Sequence, residues 1–212
     1  MALPGTHIRA ALELKDKLIV SDLKPYLSGT VYPDSRYATK LSRDLTHSEE
    51  YTKKSFYENS DFKKGWAVHQ LYDESQYEAF INNLGFLFSS TEPILDNFSD
   101  DWLTLTALKV VQDILDIQTF PIKDYLCCLD YVECPNNEIE EDLKDYNAGI
   151  VKMYKSLPTQ PTDYYSRFTF LKFKPGLIDK LLKRAEEFSV NQIIMEKLKN
   201  IFTETIKKIP LA

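Results

Sequence analysis

Three histidines, His7, His47 and His69, are the side chains of this sequence best suited to metal chemistry. His69 precedes Asp73 by four residues, a helical spacing that puts two side chains on one face with Cβ atoms about 5–6 Å apart. An imidazole nitrogen and a carboxylate oxygen so placed can bind one ion at about 2.0–2.2 Å. A hydrogen-bonded pair without metal explains the same spacing. The pattern indicates a metal centre or a buried polar network.

A carboxylate beside a proline is the next candidate. Asp34 follows Pro33 in the segment Tyr-Pro-Asp-Ser-Arg. The proline restricts Tyr32 to extended geometry, so a loop is expected here instead of a helix. A carboxylate held on that loop either caps the next segment or faces a pocket as a metal ligand or general base.

The elements that position these residues are predicted to be helices, because apolar residues recur at helical spacing nearly throughout. Thr6 is the expected N-cap of the first helix, and Gly29 is expected to end the second. The predicted helices cover 6–19, 21–28, 62–83, 101–118, 122–131, 137–155, 175–188 and, after a cap at Ser189, a last segment to about 208.

Two further segments complete the predicted fold. Thr46-His-Ser-Glu49 fits a capping box and predicts a helix that opens at His47. The aromatic segment 164–173 is compatible with a helix or a strand, and 158–161 is a turn, too short for a domain boundary. We therefore expect a single all-α domain over residues 1–212, a bundle of seven to nine helices.

Composition excludes several functional classes. Lys and Arg number 26 against 32 Asp and Glu, a net charge of −6, which disfavours generic binding of duplex nucleic acid. No apolar run is long enough to span a bilayer, and no secretory signal is evident. Cys127, Cys128 and Cys134 form no Cys-x-x-Cys pair, so we expect ordinary thiols. A cytoplasmic protein is the expectation, and the oligomeric state stays open.

The order of the candidate residues resembles a known family. The succession is Thr6-His7, Gly29 before Pro33-Asp34, Leu45-Thr46-His47, and Gly65-x-x-x-His69-x-x-x-Asp73. It resembles the all-α zinc-dependent phospholipase C fold, which also includes single-strand-specific zinc nucleases. The matching motifs cover residues 6–73, with a weaker match at 109–113.

The resemblance implies a role for each matching residue. His69 and Asp73 fall on the family's central pair, in which the carboxylate bridges two metals. His47 would share one metal with His69, and His7 would serve the second. Asp34 falls on the carboxylate that orients or deprotonates the attacking water.

The chain departs from the family's pattern on a later helix, where the family has a histidine and a carboxylate four residues apart. Here the pair is Lys109 and Asp113. Asp113 can replace the carboxylate ligand beside His7 and Asp73, but a protonated lysine has no lone pair. Lys109 holds a substrate phosphate, replaces the lost cation electrostatically, or is a surface lysine. No histidine follows His69, so the resemblance implies one or two divalent ions, with zinc expected, and not three.

The function expected from the resemblance is hydrolysis of a small phosphoester or phosphodiester by a metal-bound hydroxide. Coordination lowers the pKa of water to about 7. Arg36 is a candidate phosphate clamp, because a guanidinium can donate two N–H bonds to one phosphate.

Two alternatives stay open. The first is a non-catalytic helical domain that keeps a partial metal site for stability or partner binding. The second is an HD-type phosphohydrolase, which normally needs an adjacent His-Asp dipeptide that this sequence lacks.

Overall fold

A computed structural model describes residues 3–47, 60–90 and 99–210. These residues form an all-α bundle and contain no strand, as predicted, with ten α-helices instead of seven to nine. The helices are α1 (Pro4–Leu14), α2 (Leu23–Val31), α3 (Arg36–Thr39), α4 (Arg43–Thr46), α5 (Asp61–Leu84), α6 (Asp100–Thr119), α7 (Glu140–Ser156), α8 (Tyr165–Phe170), α9 (Pro175–Ser189) and α10 (Gln192–Lys208). Four 3₁₀ helices connect them, at Tyr32–Ser35, Gly85–Leu87, Ile122–Asp130 and Pro161–Tyr164.

The long helices begin and end close to the predicted bounds, because local caps set them. The side chain of Ser60 accepts a bond from the Lys63 amide at the start of α5, and Ser99 does the same for Trp102 at the start of α6. Ser99 is therefore the N-cap of α6. The last helix is capped by Asn191 instead of Ser189, since its side chain accepts from two amides of the first turn. None of the helices described is long and apolar enough to cross a membrane.

Several local predictions near the N-terminal third are wrong. Thr6 lies inside α1, whose N-cap is Leu3, because Pro4 occupies the first helical position. Tyr32 is helical, at φ −55° and ψ −44°, although it precedes a proline. Asp34 therefore lies on a 3₁₀ helix and not on an extended loop. α4 ends at Thr46, so His47 follows a helix; the rest of the capping box lies outside the described residues.

Segments of the C-terminal half also differ from their predictions. The segment predicted as a helix at 122–131 is a 3₁₀ helix over Ile122–Asp130. The ambiguous segment 164–173 contains the short helix α8 and no strand.

A close crossing of α2 and α5 determines the geometry of the site. A Cβ on Gly29 would lie 1.9 Å from the carbonyl oxygen of Phe62, and one on Gly65 would lie 1.9 Å from that of Tyr26. Only a hydrogen fits at either position, so the two backbones approach more closely than side chains would permit. Gly29 is thus a helix-packing residue inside α2 and not its C-cap.

Candidate metal centre

His69 lies at the middle of the centre, fully buried on α5. Its Nδ1 is 2.8 Å from the carbonyl oxygen of Thr30, the residue after Gly29 on α2. The close helix crossing makes this bond possible. A carbonyl can only accept, so Nδ1 carries the proton and the lone pair resides on Nε2. That nitrogen is buried without a hydrogen-bond partner in the described structure and lies 3.8 Å from Asp73 Oδ2.

His7 stacks on His69 from helix α1. The two ring centroids are 3.8 Å apart and the planes differ by 16°. His7 Nε2 lies 3.8 Å from Asp73 Oδ1. The His7 side chain is 1% exposed, yet neither ring nitrogen has a hydrogen-bond partner among the described residues. Two unbonded nitrogens on one buried ring are costly, and a bound ion is one way to satisfy such a group.

His47 approaches from the end of α4, with its ring edge-on to His69 at a centroid distance of 5.5 Å. Its Nδ1 contacts the Thr46 hydroxyl at 2.9 Å, and its buried Nε2 has no partner within the described ranges. The Thr46 carbonyl accepts bonds from Trp66 Nε1 and Gln70 Nε2, at 2.8 and 2.7 Å. These two bonds fix the end of α4 against α5, and so hold His47 beside His69.

Asp34 supplies a second carboxylate. It is 3% exposed, and its Oδ1 has no hydrogen-bond partner in the part of the chain that the structure describes. Asp34 forms one group with His7 and His69, and Asp73 forms a second group with His47 and His69. Within each group one ligand atom per residue lies within 4.8 Å of the others. His69 belongs to both groups. Five predicted residues therefore converge on one small region.

Burial sets the charge of the histidines. Desolvation lowers the pKa of His7 well below its usual value, and His69 and Lys109 lower it further against the opposing effect of Asp73. Burial likewise lowers the pKa of His47 to about 2 and lowers that of His69, although Asp34 and Asp73 oppose the latter. All three rings are therefore neutral near pH 7, the form that binds a metal.

Asp73, in contrast to the histidines, is charged despite its burial. Burial raises its pKa, but Lys109, His7 and His69 together hold the pKa well below the usual value. Lys109 Nζ lies 2.7 Å from Asp73 Oδ1, and the lysine side chain is 4% exposed. Lys109 is therefore buried beside the centre, and its interpretation as a surface lysine is wrong.

Asp113 lies outside both ligand groups. Its Oδ1 accepts the Thr6 amide at 2.6 Å, and its Oδ2 accepts the hydroxyls of Tyr154 and Tyr164 at 2.7 and 2.6 Å. Tyr154 also accepts a bond from the amide of Gly5. Both carboxylate oxygens are thus committed to donors, and the network fixes the N-terminal end of α1, the helix that carries His7. In this arrangement Asp113 positions α1 and lies apart from the histidine groups, and its assignment as a ligand from the resemblance stays a prediction.

Arg36 lies at the edge of the region on α3. Its guanidinium carbon is 4.0 Å from the ring centroid of Tyr37, whose hydroxyl accepts a bond from Nη2. Burial raises the pKa of Tyr37 to about 12, and Asp34 raises it while Arg36 lowers it. Nη2 of Arg36 therefore already has a partner, while its buried Nε has none among the described residues.

Comparison of the chain with protein-family models, curated proteins and solved structures finds no match. The resemblance to the phospholipase C fold therefore stays a prediction, and the centre is argued from its own geometry. Sequence reasoning missed the Thr30 carbonyl that orients His69. Its signal was available in Gly65, one helical turn before His69, because a glycine there indicates a close approach of another backbone.

Proposed function

We propose that this chain is a metal-dependent hydrolase of small phosphoesters or phosphodiesters, with one divalent-ion site at His47, His69 and Asp73. His7 and Asp34 flank that site. The observation that carries the proposal is the convergence of three neutral imidazoles with two carboxylates, in which a nitrogen of each histidine and Oδ1 of Asp34 lack hydrogen-bond partners among the described residues. Buried polar groups are normally satisfied, so such a cluster favours a ligand that satisfies several at once.

The donor set fits zinc. Imidazole nitrogen and carboxylate oxygen are both common zinc ligands. Neutral histidines and an ionised Asp73 require no proton loss before binding. Other first-row divalent ions accept the same donors, so the metal is proposed by class with zinc first.

Lys109 supports one ion in preference to two. Its ammonium is 2.7 Å from Asp73 Oδ1, the oxygen that His7 Nε2 also faces at 3.8 Å. A second cation bound to that oxygen would lie beside the ammonium in a buried region, where like charges repel strongly. Lys109 thus provides the second positive charge itself, which was one of the roles expected from the sequence.

This arrangement gives each residue of the site a separate role. An ion at the centre would supply Lewis-acid activation of a water molecule. Asp34 has a free Oδ1 with which to accept a proton from that water. Lys109 offsets the negative charge of the carboxylates. A cytoplasmic location and a small phosphoester substrate belong to the same proposal.

The first experiment measures metal and activity together. Metal analysis of the purified protein should find about one zinc per chain, with hydrolysis of bis(p-nitrophenyl) phosphate. Asp34→Asn should keep the zinc and lower kcat by about 10²-fold or more, the usual contribution of a general base. Asp61→Asn is the control, since Asp61 is also a buried aspartate but lies outside both ligand groups and pairs with Lys64 at 3.1 Å. Asp61→Asn should change neither the zinc content nor kcat.

A second candidate is a non-catalytic domain in which the ion only stabilises the fold. The burial of His7, His69 and Asp34 favours it, because structural metal sites are closed and catalytic ones keep a position open. Bound zinc without hydrolysis across a panel of phosphoesters would select this candidate. Absence of zinc, and no gain in thermal stability when zinc is added, would refute both.

A further inference from the structure

Arg167 on α8 is a buried cation without an ion pair to a carboxylate in the part of the chain that the structure describes. The residue is 4% exposed, and its Nε and Nη1 have no hydrogen-bond partner among the described residues. Its guanidinium carbon lies 4.6 Å from the ring centroid of Tyr146 on α7. No ion pair joins Arg167 to a carboxylate within ranges 3–47, 60–90 and 99–210.

Arg9 is a second arginine that stacks on an aromatic ring, and it has a carboxylate partner. Its guanidinium also lies over an aromatic ring, 3.8 Å from the centroid of Phe202. Arg9 Nη1 nevertheless donates to Asp116 Oδ1 at 2.9 Å, so its charge is balanced. A buried charge is expensive unless it is paired and hydrogen-bonded. Arg167 has the ring but no carboxylate partner among the described residues, so two of its guanidinium nitrogens remain to bind an anion.

Tyr146, on which Arg167 stacks, contacts the end of α2 beside the metal centre. The Tyr146 hydroxyl donates to the carbonyl oxygen of Val31 at 3.2 Å. Val31 is the last residue of α2, next to Thr30, whose carbonyl orients His69. The 3₁₀ helix that carries Asp34 begins at the following residue. Burial raises the pKa of Tyr146, Arg167 lowers it and Asp34 raises it, so both charges act on this one phenol.

We infer that Arg167 is an anion-binding residue that contacts a phosphoryl oxygen on the Asp34 side of the metal centre. Guanidinium N–H groups bind phosphate oxygens strongly, because the hydrogen bonds are charge-assisted. The assignment of that phosphoryl group to the substrate rests on the proposed function. Anion binding at Arg167 itself does not, since the two unpartnered nitrogens are independent of the histidines.

The test uses inorganic phosphate as the probe, in the full chain, with and without zinc. Thermal unfolding is followed in phosphate and in sodium chloride at equal ionic strength. Phosphate at about ten times its Kd should raise the Tm by about 3–6 °C for a chain of this size. Arg167→Gln should abolish this rise, and Arg167→Lys, which keeps the charge but loses the fixed guanidinium geometry, should weaken phosphate binding about tenfold.

Arg9→Gln is the matched control, because it removes a ring-stacked guanidinium that already has a carboxylate partner. It should lower the Tm in both salts and leave the phosphate-dependent rise intact. If Arg9→Gln does not fold, Arg184→Gln serves the same purpose, since Arg184 pairs with Asp100 at 2.8 Å. A phosphate response equal in wild type and Arg167→Lys, with or without zinc, would overturn the inference, as would no response at all.

Enzyme kinetics separate this inference from the proposed function. In a hydrolytically active protein, Arg167→Lys should raise KM for the phosphoester by about tenfold and increase the inhibition constant of phosphate in parallel. An Arg167-dependent phosphate response in a protein without hydrolytic activity would keep the anion site and remove the proposed function. Hydrolysis with an unchanged KM in Arg167→Lys would support the proposed function and refute the anion site at Arg167.

Discussion

The ammonium of Lys109 lies 2.7 Å from Oδ1 of Asp73, and both groups are largely removed from water. The lysine comes from α6 and the carboxylate from α5. The pair therefore ties two long helices together next to the three histidines. Its charges also hold Asp73 ionised, which the proposed ion requires of a ligand.

Lys109→Met should destabilise the metal-free protein by about 3–5 kcal/mol, because Asp73 would be left as a buried charge without its partner. Zinc should recover part of that loss, since a divalent cation at the centre replaces the missing charge. Urea unfolding with and without zinc measures both effects. Lys64→Met is the control: it breaks the Lys64–Asp61 pair at the start of α5, and zinc should not restore its loss. A zinc response equal in the two variants would contradict this role of Lys109.

Gly65→Ala should weaken zinc binding without altering a ligand. The added Cβ would lie 1.9 Å from the Tyr26 carbonyl oxygen, so α2 and α5 must separate. The Thr30 carbonyl would move from His69 Nδ1, and the free energy of unfolding should fall by about 3 kcal/mol. Calorimetric zinc titration and urea unfolding measure the two changes. Gly176→Ala is the matched control, because nothing lies within 4 Å of its Cβ position. Unchanged zinc affinity in Gly65→Ala would refute the role of the crossing.

Asp113→Asn distinguishes a ligand from a positioning residue. The Thr6 amide and the hydroxyls of Tyr154 and Tyr164 all donate to this carboxylate. The NH₂ group of an asparagine would replace one of the accepting oxygens and would face a donor. We expect a loss of about 1–3 kcal/mol in stability. The zinc content should stay near one per chain, whereas Asp73→Asn should reduce it. Metal analysis that showed the same loss in both variants would restore Asp113 as a ligand.

The stability of the metal-free protein should fall as the pH drops below about 6.5. Burial keeps the three histidines neutral in the folded state, while the unfolded chain binds protons at its ordinary pKa near 6.5. Above that pH neither state binds protons at these groups, so their contribution is fully present. Below it the unfolded state gains protons at these groups, and the contribution of the three histidines to the free energy of unfolding should decrease by about 4 kcal/mol per pH unit. Asp116, whose pKa burial raises to about 7, binds a proton in the folded state over the same range and offsets about 1.4 kcal/mol per pH unit of that loss.

Urea unfolding at pH 7.0, 6.0 and 5.5 tests this slope. His7→Gln should reduce it by about 1.4 kcal/mol per pH unit, the share of one histidine. A slope unchanged by the substitution would show that His7 is protonated in the folded protein.

Sequence patterns predict the long helices and single out the three histidines and Asp73 as candidate ligands. Periodicity and caps predict 62–83 and 101–118, and the structure has Asp61–Leu84 and Asp100–Thr119. Such signals are local, since a helix depends on hydrogen bonds between residues four apart. The spacing of His69 and Asp73 is local for the same reason.

Which carboxylate faces the histidines, and which partners the other charged residues have, depends on tertiary packing. Asp73 and Asp113 each follow a candidate site residue by four positions, so the sequence presents both as possible ligands. The groups that donate hydrogen bonds to Asp113 lie 41, 51 and 107 residues away from it in the chain. Lys109 meets Asp73 across 36 residues, and Arg167 stacks on Tyr146 without a carboxylate nearby in the described structure. Burial and pairing arise from the packing of distant segments, so the chemistry of a buried charge depends on contacts that no local pattern contains.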